Sequence, residues 1–317
     1  TYYGTLIPPS YTRKQSNLNL FPDHPHYGAG FYYTEGDNGS VQLLNPNLIP
    51  VDTIQTLRGE DGTGTGHWQG NGRIIGFTDV NADAREDLIV RINTAADGQP
   101  RALLAYDLIS GESLLDMRFA PMVQQVSIVD FENNGRKQFL ITLGGAADGP
   151  FFGLFLRNES YMVLMDVDGT ILKTWKHFGP STYMRYFLKD VNGDQVLDII
   201  TNYFSLSGSY DDPSSVNIID GASLETECEY RAKNLDDQFY KIEPLQSGVS
   251  DHHKMIISGR DFFQVVHYDA AEHVLVPEYR LSIPNGDYRL NQISDINHVG
   301  IDEVVIVSIK DEKLYIL

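Results

Sequence analysis

Asp79, Asn81, Asp83 and Asp87 stand at positions 1, 3, 5 and 9 of one short loop, and Asp190, Asn192, Asp194 and Asp198 stand at the same positions of another. Alternate residues of a tight loop aim their side chains to one side. The backbone carbonyl at position 7, of Arg85 in one loop and Val196 in the other, adds a further oxygen. A hard cation such as calcium takes about six to eight oxygen ligands at yielding geometry, and water completes the shell. Three carboxylates converging without a cation repel one another, so the spacing says more than the acidity. The same residues also suit an ordinary solvated Asp/Asn turn. What favours the cation is that both loops fill all four side-chain positions.

Other loops carry part of the set. Asp130, Glu132 and Asn134 are followed by Gln138 at position 9, with Arg136 and Lys137 alongside. Asp295 and Asn297 are followed by Val299 at position 5 and Glu303 at position 9. In a further copy Lys254 takes position 9, where an ammonium replaces a metal ion. The expectation is calcium in two loops, and in up to four.

The loops recur because the chain repeats. Segments 77–90 (FTDVNADAREDLIV), 128–141 (IVDFENNGRKQFLI), 188–200 (LKDVNGDQVLDII) and 293–306 (ISDINHVGIDEVVI) each read as an apolar run, an Asp/Asn/Gly loop and a β-branched run. That is strand, loop, strand, and with the degraded copy at 245–257 (LQSGVSDHHKMII) it returns at intervals of roughly 50–60 residues. Behind each lies a second hairpin, as in 106–119 (YDLISGESLLDMRF), 165–178 (MDVDGTILKTWKHF), 219–231 (IDGASLETECEYR) and 268–280 (YDAAEHVLVPEYR). Two hairpins per repeat make a four-stranded antiparallel blade. The predicted fold is therefore all-β, a β-propeller of six blades, with five or seven as alternatives, in one domain over residues 1–317. A first blade is read at 17–21, 31–34, 41–45 and 53–58. The last repeat stops one strand short, at 290–295, 303–308 and 313–317. Residues 2–6, within an N-terminal arm of residues 1–27, offer the missing strand, or exchange it between subunits in a homo-oligomer.

The loop form D-x-[DN]-x-D-G-x-x-D between the first two strands of a repeat resembles the FG-GAP/VCBS repeat of the integrin α-subunit head. The resemblance implies a calcium-binding propeller in a family that is largely adhesive or lectin-like. This sequence departs from the pattern at position 6, where Ala84 and Gln195 replace the usual Gly. Those two positions are expected to strain the backbone.

At the opposite ends of the strands the loops are long: 59–71, 144–158 and 202–215. They carry His67, Trp68, Phe151, Phe152, Tyr203 and Tyr210, residues that suit sugar stacking or packing beneath their own loops. A basic residue also recurs five or six positions before the start of four of the five loops: Arg73, Arg185, Lys241 and Arg289. These four are expected to begin innermost strands and ring one mouth of the channel, or else to pair with neighbouring acids. A basic ring would focus an anionic ligand, a uronate or sulfated sugar.

Two functions fit. One is a non-enzymatic module binding a glycan or an extracellular protein. The other is a lyase on acidic polysaccharide, with Tyr183, Tyr288 or His67 as base and Arg185 or Arg289 neutralising developing charge. The net charge of −19 argues against nucleic acid, which needs a basic footprint. No apolar run is long enough for a membrane span. The single cysteine, Cys228, excludes an internal disulfide. A start at Thr1, with calcium loops best filled outside cells, suggests a secreted or cell-surface protein.

Overall fold

The computed structural model describes residues 19–21, 31–35, 40–55, 71–93, 101–131, 133–145, 153–177, 182–205, 214–233, 237–245, 254–259, 261–282, 288–294, 303–308 and 313–316. None of them is in an α-helix. They form five four-stranded sheets and one three-stranded sheet. The first holds β1 (Asn19–Phe21), β2 (Phe31–Glu35), β3 (Ser40–Leu44) and β4 (Pro50–Gln55). The second holds β5 (Asn71–Thr78), β6 (Asp87–Asn93), β7 (Ala102–Tyr106) and β8 (Ser113–Arg118). The third holds β9 (Met122–Val129), β10 (Gln138–Gly144), β11 (Ser160–Asp166) and β12 (Ile171–His177). The fourth holds β13 (Thr182–Lys189), β14 (Asp198–Ser205), β15 (Ser215–Ile219) and β16 (Thr226–Arg231). The fifth holds β17 (Phe239–Pro244), β18 (Lys254–Gly259), β19 (Phe262–Asp269) and β20 (Val274–Ser282). The last holds β21 (Tyr288–Ser294), β22 (Glu303–Ser308) and β23 (Lys313–Ile316).

In every sheet the strands stand in chain order, so each sheet is a meander with its first and last strands at the edges. The last sheet has three strands among the described residues, matching the short final repeat. The arm strand expected at residues 2–6 lies outside them, as does the strand exchange it was to serve.

Burial separates the strands by rank. The middle strands β7 and β15 are buried along their whole length, and so is β10. The fourth strands β12 and β20 are largely exposed. The sequence follows: ALLAY, SVNII and QFLITLG are nearly unbroken apolar runs, as suits strands covered on both faces. ILKTWKH mixes polar and apolar residues because one face meets solvent.

The chain divides into two compact units. One comprises Thr1–Ile128, Lys137–Asn158 and Val163–Thr174, and the other Val129–Arg136, Glu159–Met162 and Trp175–Leu317. The first unit has a core of Leu43, Leu88, Val90, Ile92, Ala102 and Leu104, with Ile74 and Phe77 packed against it. Arg101 is wholly buried beside that core, and its guanidinium donates to the carbonyl of Ala120. The second unit joins its fourth and fifth sheets through Ile200, Val216, Ile218, Phe239, Ile257, Phe262 and Val266. A stack of rings runs through this core. Tyr230 lies parallel to Phe239 at 5.5 Å, Phe239 meets Phe262 edge-on at 6.3 Å, and the Arg280 guanidinium caps Phe262 at 3.8 Å. Phe239 is thus the joint between the two sheets. Phe239→Ala should cost about 3–5 kcal/mol of stability, read as a lower urea midpoint with an unchanged slope.

Candidate functional site

Three of the Asp loops share one backbone shape. In the loop joining β5 to β6, the Asp79 carboxylate accepts from the N–H of Asp83 (3.1 Å) and of Ala84 (2.8 Å). In the loop joining β13 to β14, Asp190 accepts from Gly193 (2.6 Å) and Gln195 (2.9 Å). In the loop joining β9 to β10, Asp130 accepts from Asn134 (3.1 Å) and Gly135 (2.9 Å). Later side chains continue the pattern. Asn81 accepts from Asp83, Asp83 from Arg85, Asn192 from Asp194, Asp194 from Val196, and Asn134 from Arg136. Position 6 is left-handed in all three: φ is 66° at Ala84, 71° at Gln195 and 88° at Gly135. Glycine suits that position because a Cβ there costs roughly 1–2 kcal/mol. The strain expected of Ala84 and Gln195 is therefore present in the backbone.

Position 9 opens the second strand, and there the loops differ. Asp87 and Asp198 are almost wholly buried, at 1% and 0% exposure. One oxygen of each accepts from the loop, Asp87 from the Val80 N–H at 2.8 Å and Asp198 from the Val191 N–H at 2.9 Å. The second oxygen of Asp198 accepts from the N–H of Gly221 at 3.1 Å. The second oxygen of Asp87 is buried and has no hydrogen-bond partner among the described residues. Burial pushes the pKa of each up to about 6 against these backbone bonds, with Asp107, Asp83 and Asp79 adding to it at Asp87, and Asp194 and Asp220 at Asp198. Gln138, neutral, fills the same place after the third loop.

Do these residues fit a calcium ion? The donor set is hard oxygen throughout, and Asp87 holds a buried carboxylate oxygen in need of a positive partner. Among the described residues, however, no three His, Cys, Asp or Glu side chains are drawn together tightly enough to hold a metal ion. The loop carboxylates face their own N–H groups instead. The set fits in chemistry, and ligation requires the side chains to rotate inward.

Two acids that the sequence reading passed over flank these loops. Asp107 and Asp220 follow the third strands of their sheets and cap the next turn. Asp107 accepts from Ile109 and Ser110, and Asp220 from Ser223. Asp220 also accepts from the Asn192 amide at 3.1 Å, which ties turn to loop. The bond from the Ser110 N–H holds the Asp107 carboxyl below its usual range. Their signal was the acid repeated after each third strand in YDLISGE, MDVDGT, IDGASLE and YDAAEH.

Other expected ligands are placed less fully. Glu132, Asp295 and Asn297 lie outside the described residues, and Glu303 opens β22 opposite Ser294. Lys254 opens β18, and its ammonium reaches Glu278 on β20 at 3.1 Å, beside His267. A carboxylate across the sheet engages the charge expected to replace a metal.

At the other ends of the strands, Arg73, Arg185, Lys241 and Arg289 all sit on first strands, opposite Arg91, Asn202, Ser258 and Val307. Arg73 and Arg185 are exposed. Lys241 is paired with Glu243 and alternates with Ile242, which faces the fourth sheet. Arg185 and Lys241 thus do not share a face. Tyr183 and Arg185 do, two residues apart on β13. Tyr203 is buried at 5% exposure and stacks on His177 at 5.3 Å, so it packs rather than presents a surface. Burial pushes the His177 imidazole pKa down. Tyr288 stands opposite Ser308. His67, Trp68, Phe151, Phe152 and Tyr210 lie outside the described residues.

No family model and no curated protein matches the chain. Solved structures do. The Dos1 propeller matches with a TM-score of 0.53 at 12% identity, over 95% of this chain and 71% of that one. The fold is a β-propeller. The propeller domain of Myceliophteria thermophila Cps50 (Swd1) has a TM-score of 0.41 at 13% identity, over 97% and 88% of the two chains. Rhamnogalacturonan lyase YesW has 0.42 at 12%, over 96% and 61%. At these identities the likeness speaks for the propeller alone.

Two outcomes follow from the loops. An acid whose folded pKa is raised adds stability below its unfolded pKa and loses it as pH rises through the folded value. In calcium-free protein, Asp87→Asn should therefore match wild type near pH 4 and become more stable by up to about 3 kcal/mol above pH 6, measured by urea unfolding across pH in chelator. Gln195→Gly should stabilise by about 0.5–1 kcal/mol, strain relief exceeding the added chain entropy. A lower melting temperature for this variant would contradict the strain.

Proposed function

We propose that this propeller belongs with the FG-GAP/VCBS kind, binds calcium in the loops beginning at Asp79 and Asp190, and serves as a non-enzymatic module for a glycan or protein partner outside the cell. One observation carries the calcium reading. The two loops that hold all four side-chain ligands fold alike, and each ends on a buried carboxylate pushed toward neutrality by its surroundings. A divalent ion beside Asp87 supplies the positive partner that its second oxygen lacks. The Asp130 loop shares the backbone shape but ends on Gln138, so its cation is the weaker expectation. Millimolar calcium outside cells fills such sites even at modest affinity.

The opposite strand ends favour binding over packing alone, because Arg185 is exposed and makes no ion pair with any described residue. A second reading rests on its neighbour. The Tyr183 hydroxyl has no hydrogen-bond partner among the described residues and stands on the same strand face as Arg185. A phenolate base beside a guanidinium is the pairing needed to remove the proton next to a uronate carboxylate. Ultraviolet absorbance from unsaturated ends, across a panel of uronate polysaccharides, separates the readings. A rise establishes the lyase, and a flat trace leaves the binding module.

Calcium at a hundred times its Kd should stabilise the protein by about 2.7 kcal/mol per site, raising Tm by several degrees over protein in chelator. In calcium the order of the Asp87→Asn pair should reverse, wild type becoming the more stable. An unchanged Tm, with no calcium found by elemental analysis, overturns the metal assignment.

A further inference from the structure

A surface patch within the second unit combines stacked rings with polar groups that bond to no described residue. β17 lies against β14, bringing the fifth sheet beside the first strands of the fourth. A row of rings crosses the junction. Tyr183 on β13 stacks on Phe204 of β14 at 5.6 Å, and Phe204 meets Tyr240 of β17 edge-on at 5.9 Å. Phe204 is buried at 6% exposure, while Tyr240 is 38% exposed and Tyr183 half-buried. The irregular register between Phe239 and Lys241 accounts for the placement. A bulge breaks the strict alternation of sides, so Phe239 enters the core while Tyr240 stays exposed against Phe204.

Arg185 completes the row one step along β13. It pairs in register with Asn202, the neighbour of Tyr203 on β14. The Asn202 side-chain amide reaches across to the β17 backbone at Phe239 or Tyr240, according to which way the amide is turned. Asn202 is fully buried and ties β14 to β17. Arg185 is exposed, and neither it nor the Tyr183 or Tyr240 hydroxyl bonds to a described residue. In a protein of net charge −19, a guanidinium with no acid partner among the described residues is out of keeping with its surroundings.

We propose that this patch binds a uronic acid residue of an acidic polysaccharide. The apolar face of the sugar ring lies on Tyr240 and Tyr183, and the carboxylate takes the paired N–H groups of Arg185, a planar match that a guanidinium makes and an ammonium does not. The two phenols lie within reach of ring hydroxyls. The inference deepens the binding-module reading of the preceding subsection and rests on it, but it does not require the calcium loops to be filled.

The probe is trigalacturonate, titrated calorimetrically into the full chain at fixed calcium, with its methyl ester and a sulfated neutral trisaccharide as comparisons. Trigalacturonate should bind, and the other two should bind at least about tenfold more weakly. Arg185→Ala should lose about tenfold or more and Arg185→Lys should recover only part of it. Tyr240→Leu, which keeps apolar bulk at the sheet junction, should lose affinity without lowering Tm. The proposal is overturned if trigalacturonate does not bind, if Arg185→Ala binds it as well as wild type, or if the methyl ester or the sulfated sugar binds equally tightly. A chain that gains Tm from calcium yet ignores trigalacturonate refutes this site and leaves the calcium loops standing. Binding that survives Arg185→Ala but vanishes in chelator assigns the carboxylate to the loops and refutes the patch.

Discussion

In two of these sheets a buried carboxylate opens the second strand and closes the sheet at its loop end. Asp198 is buried, and its two oxygens take one N–H from the Asp loop and one from the turn after the third strand. A single side chain thereby ties two connections that are far apart in sequence. The arrangement needs Gly221, because a Cβ there would lie 2.0 Å from the carbonyl oxygen of Leu197. In the second sheet the residue after the capping acid is Leu108, whose side chain belongs to the core. Its N–H does not serve Asp87, and one buried oxygen has no partner among the described residues. The same acid in two copies thus takes two backbone bonds in one and one in the other. The turn position concerned is glycine in the first case and leucine in the second.

The two ends of the strands carry different chemistry. At the loop end the side chains are acids whose bonds run to backbone N–H groups. At the far end of the second unit they are rings and guanidiniums, in the stack from Tyr230 to Arg280 and in the row from Tyr183 to Tyr240. Arg280 is itself held by Asp237 at 2.5 Å, so that cation is committed to the fold. Arg185 has no such acid among the described residues. Rings at the far end do for sheet-to-sheet packing what carboxylates do for the loops. A ring can stay half-exposed at little cost, whereas a buried acid cannot.

Much of this was legible in the sequence, for a physical reason. A repeat that reuses one hairpin geometry must reuse its turn residues, so the loops at Asp79, Asp130 and Asp190 and the meander order could be read from Asp, Asn and Gly spacing. The first sheet falls within a few residues of its expected strands, β4 starting earlier, at Pro50 rather than residue 53. Proline suits that edge strand, where one N–H goes unused. What spacing could not give was partnership across the sheet. Lys254 has the position of a metal substitute, but Glu278, two strands away, takes its ammonium. Lys241 has the spacing of a ring residue, but Glu243, on the same face of the same strand, neutralises it. Tyr203 has the composition of a ligand platform and lies beneath His177.

Position 9 shows how loop shape and loop charge are separable. The Asp130 loop has the position-1 bonds of the Asp79 loop and the left-handed position 6 of both relatives, yet it ends on Gln138. The shape is therefore written by Asp at position 1, the N–H of position 6 and a second N–H from position 5 or, in the Asp190 loop, position 4, and it does not need a charge at position 9. What a charge at position 9 adds is a buried carboxylate whose ionisation costs the folded chain unless something positive stands beside it. Gln138 removes that cost by being neutral, and Lys254 removes it by being a cation that finds its own acid. Asp87 and Asp198 keep it. On the calcium reading, the number of ions that matter to stability is set by the residue at the head of the second strand, and not by how many loops adopt the fold.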